Sequence, residues 1–459
     1  MSRLLLEGGT LVGLADPADI QPATHLYAEN GTIAAIGPEA LRLAARPGEP
    51  VERLKADGKW ILPGFVQAHL HLCQTLLRNG PEDLELLPWL AFHVWPGEAA
   101  LDPETLAIAA QLGLAECLAS GVTAVLDMGT VGHSDALFRA AARAGVRYTG
   151  GNVLMDDPST TPEELLTPAD EGLAETERLH ATWHGRERGR LRVAVQPRFA
   201  VSCTDDLLRR AAALAAEKGL TIHTHAAESL AECGLVLERT GQDNVAYLDA
   251  VGLLGPKSCI AHAVHTDERA WRALAERGAA AVHCPSSNLR LRSGVCPVVS
   301  MRRAGVRVAL GSDAASCNDR LDPFREMRLA ALLPRTRPDT RGETGELRAF
   351  DVLRLATWEG GRALDLPGLE GLAPGGRADF AILDPEAGWT LPESRSGEPY
   401  SAVVHAMGPE NVFATVVDGV LRYRASDPSV GGLRPSAAEV RAAAAALRGR
   451  MKTPPPGRR

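Results

Sequence analysis

Residues 61–72 read ILPGFVQAHLHL, an apolar run that ends with two histidines, His69 and His71. Side chains of a β-strand alternate between its two faces, so residues two positions apart point the same way. Both imidazoles can therefore reach one metal ion from the end of a single strand. Such a pair alone indicates a metal site only weakly, because two buried histidines can instead be satisfied by hydrogen bonds.

Seven further apolar runs follow this one, and helix-forming segments separate them. With the first run at 61–70, the others span 123–128, 146–155, 191–199, 220–226, 258–264, 280–285 and 306–313. Continuous apolar runs are typical of a parallel sheet that is covered on both faces. Eight strands alternating with helices over about 250 residues predict a (β/α)8 TIM barrel, which we place at residues 60–372.

Both ends of the chain have a different sequence pattern, which predicts strands and turns. Residues 1–59 are predicted to be all β, with a hairpin turn at Asn30-Gly31. Residues 373–426 are predicted to add strands at ADFAILD, AVVHAMG and VFATVVDGVLRYR. Neither segment is long enough to bury a core alone, so we expect the two to form one small composite β-sandwich domain. Residues 427–459 are predicted to form a surface helix and a disordered tail.

Composition excludes several classes of function. The net charge is -8 and arginines alternate with acidic residues, so no basic stripe indicates a nucleic-acid partner. The eight cysteines include no CxxC pair, which is typical of reduced thiols and predicts a cytoplasmic protein. The first 17 residues resemble neither a signal peptide nor a membrane span, so no membrane partner is expected.

Residues with metal-binding side chains stand at the predicted C-terminal ends of four strands. They are His69 and His71 on the first strand, His225 on the fifth, His262 on the sixth and Asp313 on the eighth. These ends meet at one face of a barrel, where active sites of this fold are built. Imidazole and carboxylate groups suit Zn2+, which lowers the pKa of a bound water to about 7.

Two more residues complete the predicted centre. Glu228, three residues after His225, is placed to transfer protons, and His262 to hydrogen-bond developing charge. His223 lies one layer deeper and is predicted to be a hydrogen-bonded core histidine. The chain has only five lysines and none lies within a predicted barrel strand, so a carbamylated lysine between two metals is excluded and one metal is expected.

The motifs PGFVQAHLH, HTHAAES, AHAVH, HCPSSNLRL and GSDAAS give the chain a specific resemblance. Together they resemble the amidohydrolase superfamily, in its branch of mononuclear-metal aminohydrolases with guanine deaminase, adenosine-type deaminases and triazine hydrolases. The resemblance implies one Zn2+ per subunit, with Fe2+ as the alternative, a proton shuttle at Glu228, and a hydroxide held by His262. The implied metal ligands are His69, His71, His225 and Asp313, of which Asp313 is also catalytic.

For the substrate, HLHLCQ and QPRFAVSC look most like guanine deaminase. That likeness implies that Gln74, Arg198 and Phe199 contact a purine, with Trp89 at the side of the pocket. Arg198 could instead form a structural ion pair, and Trp89 could belong to the core. The segment GSDAASCNDRLDPFREM is closer to the nucleoside and triazine hydrolases.

Guanine is therefore the favoured substrate, and release of ammonia from an aminated purine or related heterocycle is the expected reaction. The alternative is an adenosine-type nucleoside: 5'-deoxyadenosine, methylthioadenosine or S-adenosylhomocysteine. A triazine or pterin aminohydrolase and a non-catalytic barrel protein rank behind it. The resembled branch also implies a homo-oligomer, with a dimer expected.

Overall fold

The computed structural model of the protein describes residues 2–337, 347–388 and 398–452, which form two β-sheets and the helices around them. In chain order the strands are β1 (Arg3–Val12), β2 (Ile20–Glu29), β3 (Thr32–Ile36), β4 (Glu52–Lys55), β5 (Trp60–Pro63), β6 (Phe65–Leu70), β7 (Val122–Asp127), β8 (Arg147–Gly150), β9 (Val153–Leu154), β10 (Leu191–Pro197), β11 (Thr221–Ala226), β12 (Ser258–His262), β13 (Ala280–His283), β14 (Arg307–Leu310), β15 (Phe380–Leu383), β16 (Val412–Val417) and β17 (Val420–Arg424).

The helices mostly lie between these strands. They are α1 (Pro38–Ala44), α2 (Leu86–Trp89), α3 (Trp95–Ala99), α4 (Pro103–Ala119), α5 (Asp135–Ala144), α6 (Ala169–Trp183), α7 (Arg186–Gly189), α8 (Asp205–Lys218), α9 (Leu230–Thr240), α10 (Asn244–Ala250), α11 (Glu268–Arg277), α12 (Pro285–Arg290), α13 (Val298–Arg303), α14 (Ala315–Asn318), α15 (Pro323–Leu332), α16 (Ala349–Leu355), α17 (Trp358–Ala363), α18 (Tyr400–His405) and α19 (Ala437–Arg450). A π-helical turn at Leu90–Val94 joins α2 to α3, and a 3-10 helix at Leu72–Leu77 follows β6.

Eight parallel strands form the barrel, in the order β6, β7, β8, β10, β11, β12, β13 and β14. The ring closes between its first and last strands, where the backbone N–H of Asp313 donates to the carbonyl oxygen of His69 at 3.1 Å. The helix ends follow the sequence, since Thr204 caps α8 through its side chain and Gly219 ends it in the left-handed conformation. The predicted (β/α)8 barrel is confirmed.

The second sheet is built from both ends of the chain. Its order is β17, β16, β15, β5, β1, β2 and β3, and β4 pairs with β1. Turns at Asn30-Gly31 and Asp418-Gly419 connect two of its hairpins, the first at the position where the sequence predicts a turn. The prediction that the two ends form one composite β structure beside the barrel is confirmed.

Three predicted elements are wrong in detail. The run 61–70 is two strands, because Gly64 separates β5, in the composite sheet, from β6, in the barrel. Residues 1–59 are not all β, since Pro38 begins the helix α1. The first four residues of AVVHAMG lie in the helix α18 and not in a strand, because Tyr400, Val403 and Val404 have helical spacing and bury one face.

A buried ion pair fixes the barrel against the composite sheet. The Arg147 guanidinium, at the start of β8, donates to Oδ1 of Asp379 at 3.0 Å, and the Asp418 N–H donates to the same oxygen at 2.6 Å. The side chains of Arg147 and Asp379 are almost completely buried.

The C-terminal helix predicted within 427–459 is α19, and residues 453–459 lie outside the described residues. Within the described part of the chain, the helices are all too short or too polar to cross a bilayer.

Candidate active site

Four side chains converge where the barrel strands end. His69 is the penultimate residue of β6, and its Nε2 atom lies 3.2 Å from Oδ1 of Asp313. The Nε2 atom of His71 lies 3.4 Å from the same oxygen and 3.3 Å from Nε2 of His225. All four residues are buried. The structure therefore brings the predicted ligands from β6, β11 and the end of β14 into one cluster.

Three of the distances within this cluster fit ligands of one small cation. Neighbouring ligands about 2.0–2.1 Å from Zn2+ stand about 3.3 Å apart, and the pairs Asp313–His69, Asp313–His71 and His71–His225 are 3.2–3.4 Å apart. His69, His71 and Asp313 form one group that could hold a metal ion, and His69 and His225 belong to a second such group with His262. Among the described residues, the buried Nε2 atom of His69 has no hydrogen-bond partner, and an unpaired buried nitrogen is costly without a ligand. Imidazole and carboxylate groups are also the ligand types that zinc takes in catalytic sites. The residues present fit such an ion.

Electrostatics prepares these groups for a cation. Burial and the neighbouring histidines lower the pKa values of His71 and His225 well below the ordinary value, so both imidazoles are neutral at pH 7. Burial works against the ionised form of Asp313, but its contacts with His69, His262 and His71 outweigh that effect and hold its pKa well below the usual range. Neutral imidazoles and an ionised carboxylate are the forms that bind metals.

Contacts behind the ligands fix their orientation. Nδ1 of His225 donates to the carbonyl oxygen of Arg198 at 2.6 Å, which leaves Nε2 facing the cluster. Nδ1 of His69 lies 2.8 Å from Nε2 of His223, in hydrogen-bond contact. The hydroxyl of Ser287 donates to Oδ2 of Asp313 at 2.6 Å. Such outer contacts hold metal ligands in place, and they give the core histidine His223 a direct contact with a predicted ligand.

The two predicted catalytic groups lie beside the cluster. Nε2 of His262 is 3.4 Å from Oε2 of Glu228 and 3.8 Å from Oδ2 of Asp313. Nδ1 of His262 donates to Oδ1 of Asn288 at 2.8 Å, so Nε2 is the atom turned toward the site. Burial and then the negative charges of Asp313 and Glu232 raise the pKa of Glu228 well above its ordinary value. A carboxyl group with this property can hold a proton at neutral pH.

The turn after β11 determines where Glu228 lies. The backbone N–H groups of Ala227, Glu228 and Ser229 all donate to the carboxylate of Glu232, at 2.7–3.3 Å. The Ser229 hydroxyl accepts from the Glu232 N–H in return, which is a capping box at the start of α9. Ala227 has a positive φ of 53° in this turn. Glu232 thus holds the backbone of Glu228 in a conformation that turns its side chain into the site.

One narrow pocket adjoins the cluster. All four predicted substrate contacts line it: its walls are formed by His71, Gln74, Leu86, Trp89, Leu90, Arg198, Phe199, His225, Glu228, His262 and Asp313. Leu86 and Leu90 were not predicted from the sequence.

The buried carboxylate of Glu98, which was not predicted from the sequence, accepts hydrogen bonds from both Arg198 and Gln74. Oε2 of Glu98, on α3, accepts from Nη1 of Arg198 at 2.6 Å, and its Oε1 accepts from Nη2 at 3.3 Å. Oε1 also accepts from the Gln74 amide at 2.8 Å, and the Ser316 hydroxyl donates to the amide oxygen of Gln74 at 2.5 Å. Arg198 therefore lines the pocket and also forms an ion pair. The only sequence signal for this residue is that Glu98 is the single acidic residue in the segment LAFHVWPGEAAL.

Residues 60–422 match the model of the Amidohydrolase family. The chain belongs to this family. A 5-methylthioadenosine/S-adenosylhomocysteine deaminase of Nitratidesulfovibrio vulgaris, strain Miyazaki F, is 37% identical over 399 residues, which are 87% of each chain.

Two solved structures place the family member among aminohydrolases. An adenosine deaminase from Xanthomonas campestris with bound zinc superposes with a TM-score of 0.86 at 30% identity, covering 98% of both chains. The guanine deaminase of E. coli superposes with a TM-score of 0.82 at 25% identity, covering 93% of this chain and all of the other. The predicted superfamily and the predicted class, a hydrolase of carbon–nitrogen bonds, are confirmed.

Proposed function

We propose that the protein is a metal-dependent deaminase that hydrolyses the 6-amino group of an adenosine-type nucleoside and releases ammonia. The observation that supports this most directly is the cluster of His69, His71, His225 and Asp313, in which three contacts of 3.2–3.4 Å join the imidazoles and the carboxylate, with Glu228 and His262 beside it. In this proposal one Zn2+ is held by His69, His71, His225 and Asp313.

The chemistry divides between the metal and the chain. When bound, Zn2+ would supply a water molecule with a pKa of about 7. The Glu228 carboxylate would accept one proton from that water and pass it to N1 of the purine while the hydroxide adds to C6. Glu228 would then move the remaining hydroxyl proton to the amino group, which leaves as ammonia. Nε2 of His262 hydrogen-bonds the attacking oxygen, and Asn288 holds the imidazole ring of His262 in that orientation. Phe199 and Trp89 offer aromatic faces to the purine.

The sequence favours guanine as the substrate. The proposed substrate is instead an adenosine-type nucleoside, which was the alternative. That expectation rested on Gln74 and Arg198 as free donors for the guanine ring. In the structure both terminal nitrogens of Arg198 and the amide nitrogen of Gln74 already donate to Glu98. The relative named as a deaminase of 5-methylthioadenosine and S-adenosylhomocysteine is 37% identical to this chain, whereas the guanine deaminase structure is 25% identical. This similarity favours an adenosine-type ring.

The test is ammonia release from purified enzyme, stripped with chelator and then reloaded with Zn2+ or with Fe2+. We expect turnover of adenosine, 5'-deoxyadenosine and methylthioadenosine, little with guanine, and none without metal. The Glu228→Gln variant should bind the metal as tightly as the parent but turn over at least about 100-fold more slowly. Turnover of guanine above every nucleoside, or full activity after complete metal removal, would contradict the proposal.

Three further expectations accompany it. A small-molecule nucleoside is the proposed partner. A homodimer and a cytoplasmic location remain predictions, and light scattering of the zinc-loaded protein tests the homodimer.

A further inference from the structure

Two turns beyond the barrel strands carry the groups that orient His262 and Asp313. The helix α12 follows β13 and contains Ser287, whose hydroxyl donates to Oδ2 of Asp313 at 2.6 Å. Asn288, the next residue, accepts from Nδ1 of His262 through its Oδ1 at 2.8 Å. Asp313 itself lies in the turn between β14 and α14. Nε2 of His262 and Oδ2 of Asp313 are 3.8 Å apart, so this spacing depends on how the two turns lie relative to each other.

A third element joins the two turns through one buried carboxylate. Glu326, on α15, is only 1% exposed and accepts three hydrogen bonds. Ser286 supplies two of them, from its N–H to Oε2 at 3.1 Å and from its hydroxyl to Oε1 at 2.5 Å. The Asn318 amide, at the end of α14, donates to Oε1 at 2.8 Å and also to the carbonyl oxygen of Ser312 at 2.7 Å. Glu326 therefore links the turn after β13 to the turn after β14.

The three donors fit a carboxylate better than an amide of the same shape. An ionised carboxylate has acceptors at both oxygens, whereas an amide must turn its NH2 group toward the donors on one side. Burial raises the pKa of Glu326 to about 7, although the hydrogen bonds from Ser286 and Asn318 oppose this rise. Above pH 7 the ionised form can therefore accept from both turns at once.

We propose, resting on the deaminase function above, that Glu326 is a positioning residue of the active site, which fixes α12 against the turn that contains Asp313 and thereby sets the spacing of His262 and Asp313. Its three hydrogen bonds reach neither of these residues directly, so it acts through the helix that carries Ser287 and Asn288. When the bonds are lost, α12 can shift, and the imidazole and the carboxylate lose their alignment. A misplacement of about 1 Å can cost about 100-fold in rate.

The Glu326→Gln variant tests this role without changing the size of the side chain. At pH 8, with saturating zinc and with methylthioadenosine as the substrate, we expect kcat to fall about 10–100-fold and KM to stay near that of the parent. The affinity for zinc should also fall about tenfold, because Ser287 no longer holds the Asp313 carboxylate firmly. Competition with a chromogenic chelator measures that affinity from the metal-free protein and needs no substrate.

A matched control separates this role from a general loss of stability. Thr415→Val removes a buried hydrogen bond in the composite sheet, where the Thr415 hydroxyl donates to the carbonyl oxygen of Leu118 at 2.7 Å. This variant should lower the melting temperature, because a buried acceptor loses its donor. It should leave kcat and the affinity for zinc unchanged.

A double variant shows whether Glu326 acts through α12. If it does, Glu326→Gln/Asn288→Ala should have a kcat only slightly below that of the more impaired single variant. Losses that multiply would mean that the two residues act independently and would overturn this inference. A Glu326→Gln variant with the kcat and the zinc affinity of the parent would overturn it as well.

Two further outcomes are decided by other measurements. If Glu326→Gln does not fold, Ser286→Ala removes one of the three bonds and should lower kcat and zinc affinity in the same direction; no change in that variant would overturn the inference. Absence of ammonia from every nucleoside would instead refute the proposed function, and the zinc affinity of Glu326→Gln alone would then decide whether Glu326 positions the metal ligands.

Discussion

Removing the charge of Glu98 should destabilise the protein strongly, because it isolates a buried guanidinium. Only 3% of Glu98 and 3% of Arg198 are exposed, and two hydrogen bonds join them at 2.6 and 3.3 Å. Glu98→Gln keeps the shape of the side chain but removes its charge. Arg198 stays protonated at every relevant pH, so it cannot relieve the imbalance. Breaking one side of a buried pair costs about 3–5 kcal/mol, and we expect the free energy of unfolding to fall by that amount.

Urea unfolding of the zinc-loaded protein measures this loss, with tryptophan fluorescence as the probe. The matched variants are Arg198→Met and the double variant Glu98→Gln/Arg198→Met. The double variant contains no isolated charge, so it should recover most of the stability lost in Glu98→Gln.

Two results would refute this reasoning. A Glu98→Gln variant within about 1 kcal/mol of the parent would mean that Arg198 is not isolated when Glu98 loses its charge. A double variant whose loss equals the sum of the two single losses would mean that the two groups are energetically independent.

Three more perturbations follow from other buried contacts. His223→Ala removes the hydrogen bond to Nδ1 of His69 and should weaken zinc binding about 10–100-fold. Competition with a chromogenic chelator measures the affinity, and an unchanged affinity would mean that His223 only packs in the core. Burial raises the pKa of Asp127 from 3.8 to about 7, so the folded state binds this proton more tightly than the unfolded state and stability should fall as the pH rises from about 4 to about 7. Thermal melts of Asp127→Asn should lack this dependence of stability on pH. If the dependence persists in the variant, other groups cause it. Arg147→Met removes the guanidinium that hydrogen-bonds the buried Asp379 and should cost about 3–5 kcal/mol in urea unfolding. Asp379→Asn should restore most of that loss, whereas a loss below about 1 kcal/mol would show that the pair does not hold the two sheets together.

The barrel could be predicted because its strands are buried on both faces and so appear as continuous apolar runs. The same property hid the break at Gly64, since apolar residues do not reveal which of two sheets a strand joins. The helix α18 was mistaken for a strand because AVVHAMG is short and rich in valine, and only its packing shows the helical period.

Within the candidate site, residues next to strand ends could be predicted, and residues supplied by other segments could not. His69 and Asp313 follow from the rule that strand ends meet at one face of the barrel. Glu98 approaches from α3, a five-residue helix, and its partner Arg198 is 100 positions away. No local pattern joins two such residues, because only the tertiary fold brings them into contact.

Gly64 has a further consequence for how this protein can be divided. It is the single residue between β5 and β6, and it lies five positions before His69. A β-carbon at Gly64 would lie 2.2 Å from the side chain of Thr123 on β7, so the chain passes between the sheets without room for a larger residue. Because β5 pairs with both β1 and β15, removing either terminus would take away one of the two neighbours of the strand that leads into β6 and His69. We therefore expect that the barrel cannot be excised as a smaller working catalyst.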